Sequence, residues 1–135
     1  MNDLDLDARS GIIRLEDRWS AVQVVERLNA AGYRAVRVDR APVFDKATLM
    51  HALYQSLALP AWFGFNLDAL ADSLAALDAR DGRRWVLVFQ DFDVLERSDP
   101  ELAETFCEIV DEAAALPEAG LAAAVLLPGT PRRID

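Results

Sequence analysis

The chain has one cysteine, one histidine and one lysine, and no apolar run approaches the roughly 18 residues of a membrane span. Cys107 alone can form no internal disulfide, so the fold asks for no oxidising compartment. His51 and Cys107 give no zinc-type ligand spacing, and no serine sits in a G-x-S-x-G elbow that His51 would serve. Glycine-rich phosphate loops and EF-hand loops are missing too. The expectation is a non-enzyme without metal or cofactor. Residues 1–10, MNDLDLDARS, have neither a basic n-region nor an apolar h-region, so a cytoplasmic protein is expected, without signal peptide or membrane partner. Lys46 is the only lysine, and the arginines are scattered apart from Arg83–Arg84 and Arg132–Arg133. Direct nucleic-acid binding draws on clustered cations, and this chain lacks them.

What is present is acidity and apolar bulk. The 135 residues are 53% hydrophobic and 27% charged, with a formal net charge of −9. That length is one domain with a normal core. An acidic surface favours a basic protein partner, because opposite fields speed encounter.

Hydrophobic periodicity gives the order of elements. Residues 11–15 form a short strand, and Ser20 opens a helix as a capping box with Gln23, stapled by Trp19 and Val24. Val24, Val25, Leu28 and Ala31 make its stripe, and Gly32 follows as the C′ glycine. Residues 33–39 alternate as a strand. Asp45 caps a second helix, with Phe44 and Leu49 as its staple, Leu49, Leu53 and Leu57 as its core face, and Pro60 as its end. Asn66 caps a third helix, in which Leu67, Leu70, Leu74 and Leu77 share one face. Residues 84–89 read as a strand covered on both sides. Asp99-Pro100 opens a helix with the stripe Leu102, Phe106, Ile109, Val110 and Ala113, and residues 122–127 form the last strand. Strands separated by helices imply an α/β fold, a small mostly parallel sheet packed with helices. The tail, 130–135, is expected to be loose.

The third helix carries the chemistry. Asp68 and Asp72 lie four apart on its outer face, with only Ala71, Ala75 and Ala76 nearby. Like charges at that spacing cost a few tenths of a kcal/mol in an isolated helix, so they suit a cationic partner. The helix dipole favours Asp68 in the first turn on structural grounds alone, and Asp72 gains less from it. Of Trp62 and Phe63, one is expected in the core. Gly64 is expected to supply a positive φ before the cap. His51 falls off the leucine stripe, at the surface, and Cys107 reads as a small apolar filler.

The run LPAWFGFNLDALADSL, residues 59–74, resembles the signature of the barstar family, small acidic inhibitors of secreted bacterial ribonucleases. Leu59, Pro60, Gly64, Asn66, Leu67, Asp68, Ala69, Leu70, Asp72 and Leu74 carry the resemblance, with Trp62 and Phe63 where the family has aromatics. It implies a single barstar-like domain over 1–135, with a family core at 33–128 and a strand–helix extension at 10–32. It also implies an inhibitor, monomeric when free, that plugs a basic ribonuclease with this helix and the preceding loop. Asp72 then matches the aspartate that replaces a substrate phosphate, Asp68 its neighbour, and Trp62 the first loop aromatic. Glu112 is the nearest match to an acidic contact from the later helix, with Asp111 as the fallback. Ala71 stands in place of a tryptophan, Ser73 of a cysteine, Phe65 of a polar or charged residue and Ala75 of a hydroxyl residue. The expected contact set is thus Trp62, Phe63, Gly64, Phe65, Asn66, Asp68, Ala71, Asp72, Ala75 and Glu112. The alternative is a barstar-fold module that binds a regulatory protein without inhibiting an enzyme.

Overall fold

The computed structural model describes residues 11–15, 19–61 and 63–128. Trp62 and the tail 130–135 lie outside these residues. Ten elements follow in chain order: β1 (Gly11–Arg14), α1 (Ala21–Ala30), β2 (Arg34–Arg37), α2 (Lys46–Ser56), α3 (Leu67–Ala75), a 3₁₀ turn (Arg80–Gly82), β3 (Trp85–Phe89), α4 (Phe92–Ser98), α5 (Pro100–Ala114) and β4 (Leu121–Leu126). The four strands form one all-parallel sheet in the order β1-β4-β3-β2.

The two central strands carry only apolar side chains, so the sheet has a core on each face. Leu87, Phe89, Leu121, Ala124 and Leu126 join α2, α3, α4 and α5 in the larger core. Val86, Val88, Ala122, Ala123 and Val125 face α1, where Trp19, Ala21, Val24 and Leu28 cover them. Consecutive Ala122 and Ala123 face the same side because the β3–β4 register slips between Trp85 and Val86, leaving Ala122 as a bulge. The β1–α1 unit is therefore part of the core.

Local signals account for the helix starts. Ser20 Oγ accepts from Gln23 N at 3.2 Å, and Gln23 Oε1 accepts from Ser20 N at 3.0 Å. Asp45 Oδ1 accepts from Thr48 N at 2.9 Å, and the Thr48 hydrogen bonds hold the Asp45 carboxyl below its ordinary range. Asp99 caps α5 through Leu102 N, with Pro100 in the first turn. Gly32, past the end of α1, takes φ +100° as the C′ position requires.

Three expectations need correction. Helix α2 ends at Ser56, before Pro60, and Leu57 forms its C-cap. Phe44 is 45% exposed and does not seal the start of α2 as a staple; its backbone N–H donates to Thr48 Oγ1 instead. A further helix, α4, precedes α5, and its N-cap Asp91 makes no side-chain capping bond. Burial of Phe92 and Leu95, with an Asp93–Arg97 ion pair at 2.7 Å, holds α4 without a side-chain cap.

One polar group ties the sheet to the helical layer. The buried Asp39, just past β2, accepts from Gln90 N at 3.0 Å, Asp91 N at 2.8 Å and Arg37 Nε at 3.2 Å. Those bonds clamp the exit of β2 to the turn between β3 and α4.

Two outcomes are expected. Leu28→Ala removes the centre of the α1 contact and should cost about 2–5 kcal/mol in urea unfolding at unchanged slope. Burial pushes the Cys107 thiol up to about 11, so at pH 8 the native chain should react with a thiol reagent far more slowly than the urea-unfolded chain.

Candidate functional site

Helix α3 has nine residues, below the roughly 12–15 at which an isolated helix becomes stable. Its geometry is therefore imposed by its surroundings. Leu70 and Leu74 are fully buried in the larger core, and the helix packs against α5. Asn66 Oδ1 caps it by accepting from Ala69 N at 2.8 Å. At its far end Gly120 comes so close that a Cβ there would collide with the Leu77 carbonyl oxygen. The helix is fixed at both ends and along its inner face.

The outer face carries Asp68, Asp72, Ala75 and Ala76, all exposed, with Ala71 half-buried between them. Neither aspartate has an ion pair or a hydrogen-bonding cation among the described residues. Two uncompensated carboxylates thus stand one helical turn apart on a rigid, short-side-chained surface.

The loop before α3 is organised around Asn66. Its Nδ2 donates to Gly64 O at 3.2 Å, and a Cβ on Gly64 would lie 3.0 Å from that nitrogen. A side chain at position 64 would press on the amide of the capping Asn66. The positive φ expected of it belongs to Phe65, at 54°. A bulky residue rarely takes that conformation.

The ring of Phe65 is held by neighbours. Its centroid lies 5.0 Å from Phe63, 5.1 Å from Tyr54 and 6.3 Å from His51. Phe63 is 4% exposed and belongs to the core, so it braces the loop from beneath, while Phe65 is 40% exposed. Tyr54 and His51, on α2, complete the brace and were not among the expected site residues. The available signal was their spacing of three on one helix, which puts both on one face. His51 is at the surface, as expected.

The two acidic candidates on α5 separate cleanly. Asp111 Oδ1 accepts from Ile12 N at 2.8 Å, and Gly11 is so close that a Cβ would collide with the same oxygen. Asp111 is thereby occupied in anchoring β1. Glu112 is exposed and about 100° further round the helix, off the side that faces β1.

Phe65→Gly tests whether the ring serves the fold. Relief of the left-handed backbone is worth about 1–2 kcal/mol, and the lost aromatic contacts about 0.5–1.5 kcal/mol each. Three such contacts outweigh the relief, so the urea midpoint should fall, by the equivalent of about 1–2 kcal/mol.

Comparison with known proteins adds a family. The family model described as Barstar (barnase inhibitor) matches residues 33–127, which include α2, the aromatic loop, α3, α5 and three of the four strands. No curated protein sequence matches the chain.

Proposed function

The chain belongs to the barstar family, and from that premise we propose that it is a protein inhibitor of a basic, barnase-type ribonuclease. The inhibitor acts by occlusion. Helix α3 and the loop before it enter the enzyme's cleft, and Asp72 accepts hydrogen bonds from the arginines and lysines that would otherwise hold a substrate phosphate. The observation that carries this reading is the pair Asp68 and Asp72, exposed on α3 without a cation among the described residues.

The remaining parts have definite roles in such a complex. Charge-assisted bonds to a carboxylate are short and strong once water is excluded. Phe65 supplies the apolar surface that excludes it, and Trp62 is assigned the first aromatic contact. Gly64 and Asn66 set the loop's shape, while Ala71 and Ala75 let the enzyme's backbone approach α3 closely. Phe63 supports from beneath. Glu112 adds a carboxylate from α5. Small residues at 71 and 75, where the best-known family member has tryptophan and a hydroxyl residue, fit a cognate enzyme with a bulkier rim.

The barnase–barstar pair is itself a standard example of electrostatically steered, charge-paired association, so the size of the expected loss is an analogy with the family. Asp72→Ala should weaken inhibition of RNA cleavage by a barnase-type ribonuclease by about 2–5 kcal/mol, leaving the thermal midpoint of the free protein unchanged. The association rate should fall steadily as salt rises through about 0.1 M, where the screening length is about 10 Å. Full inhibition by the Asp72→Ala chain would sink the phosphate-mimic reading. Binding that leaves RNA cleavage intact would favour a non-inhibitory module.

A further inference from the structure

Away from the α3 face, a groove of about 1090 Å³ runs along the free edge of β2, between α1 and α2. Strand β2 ends the sheet, so its outer edge is unpaired by any described strand. Arg34 N donates to Arg84 O at 2.8 Å and Val38 N to Val88 O at 2.9 Å. Residues 34, 36 and 38 therefore face β3, and the alternation turns the backbone groups of Ala35 and Arg37 outward. Asn29 Oδ1 accepts from Ala35 N at 2.9 Å and closes one end of that edge. The Arg37 amide is left to the groove.

The charge of the groove opposes that of the protein. Arg37, Arg40 and Lys46 line it, and no aspartate or glutamate does, in a chain of net charge −9. Arg37 is engaged by Asp39. Arg40 and Lys46 are exposed and make no ion pair among the described residues. Val36 and Met50 add apolar lining.

We propose that this groove docks an extended acidic segment of another protein, added to the sheet as a fifth strand beside β2. An open edge offers main-chain hydrogen bonds, and alternate side chains of an added strand point to opposite sides. Acidic residues at alternate positions would reach Arg40 and Lys46, and the intervening apolar ones the groove's lining. The volume lies at the upper end of small-molecule sites, which run to about 1,000 Å³, and suits several residues of chain. A single-stranded nucleic acid would make no use of the outward amide and would need a longer track of cations. The occupant is acidic, so it is a different partner from the basic ribonuclease proposed for α3. The two sites meet at Phe65, which lines the end of the groove.

The test is a titration of the full-length, ¹⁵N-labelled chain with a capped octapeptide alternating aspartate and valine. Amide shifts are expected at residues 35–40, Lys46 and His51, with the Arg37 amide gaining protection from exchange. Arg40→Glu together with Lys46→Glu should weaken binding about tenfold or more. N-methylation of the peptide along its pairing edge should do the same. The Asp72→Ala chain should bind the peptide like wild type, so failure of the inhibitor reading leaves this result standing. Both cations are exposed, and the double variant should keep its thermal midpoint; if it does not, the N-methylated peptide on the wild-type chain decides. The proposal is overturned by the absence of groove shifts at millimolar peptide, or by equal binding of the N-methylated or lysine-for-aspartate peptide. Tighter binding of an oligothymidylate would assign the groove to nucleic acid. Concentration-dependent shifts without peptide would assign it to a second copy of the chain. Either result also overturns the proposal.

Discussion

Strands β3 and β4 present no polar side chain to either face, and the rest of the architecture follows from that constraint. At about 25 cal/mol per Å² of apolar surface, an uncovered face would be a large standing cost and an aggregation surface. Helices α2 to α5 cover one face, and α1 with Trp19 covers the other. The Arg27 guanidinium lies 4.9 Å from the Trp19 ring and shields it from the solvent side. The family match begins at Tyr33, so this cover and the strand β1 come from sequence that precedes the matched core. The extension is also keyed into that core, because Asp111 of α5 receives the Ile12 amide and only glycine fits at position 11. Residues 11–15 and 19–32, ahead of the match, are structural components of the fold.

Covering the sheet in this way leaves α3 as a short helix on the outside of the helical layer, where its geometry depends on its packing. The buried leucines, the Asn66 cap and the close approach of Gly120 hold it without any contribution from the exposed face. That face is thereby free of folding duties, and its two carboxylates can remain uncompensated. Phe65 shows the opposite arrangement. Its backbone sits in a conformation costly for a bulky residue, and the ring is kept in place by Phe63, Tyr54 and His51. Strain of this kind persists only where surrounding contacts outweigh it, and such positions concentrate at binding surfaces.

Much of this was legible in the sequence because the signals are local. Ser20 with Gln23, Asn66, and Asp99 with Pro100 all cap the helices that their patterns announce, and Leu70 and Leu74 of α3 are buried as their spacing requires, whereas Leu67 is half-buried and Leu77 falls past the helix end. The parts that were not legible depend on distant residues. Helix α4 has no side-chain cap and is held by burial of Phe92 and Leu95, which no short window reveals. The positive φ at Phe65 runs against residue preference, and the α2 rings that pack on it lie more than ten residues away in the chain. Asp39 reads locally as a polar strand end, yet it bonds to backbone some fifty residues away. Of the site, the carboxylates and the cap were readable, and the aromatic brace from α2 was not.

The distribution of charge has a physical consequence beyond the site itself. A net charge of −9 draws cations to the protein as a whole, yet three positive side chains line the β2 groove without an acidic neighbour in that lining. The only lysine stands with Arg37 and Arg40 on the open edge of β2, where no carboxylate lines the groove. Edge strands invite pairing with other chains, and charged side chains on the edge limit which chains can pair. Here the cations repel a basic strand and admit an acidic one. Copies of this protein repel one another through their shared negative charge, so the same arrangement keeps the edge accessible. Phe65 lies between the acidic helix and the cationic groove, its ring contacting α2 and its backbone leading into α3. Phe65 is thus shared by both surfaces, its ring packed against Phe63, Tyr54 and His51 while its backbone leads to the Asn66 cap of α3.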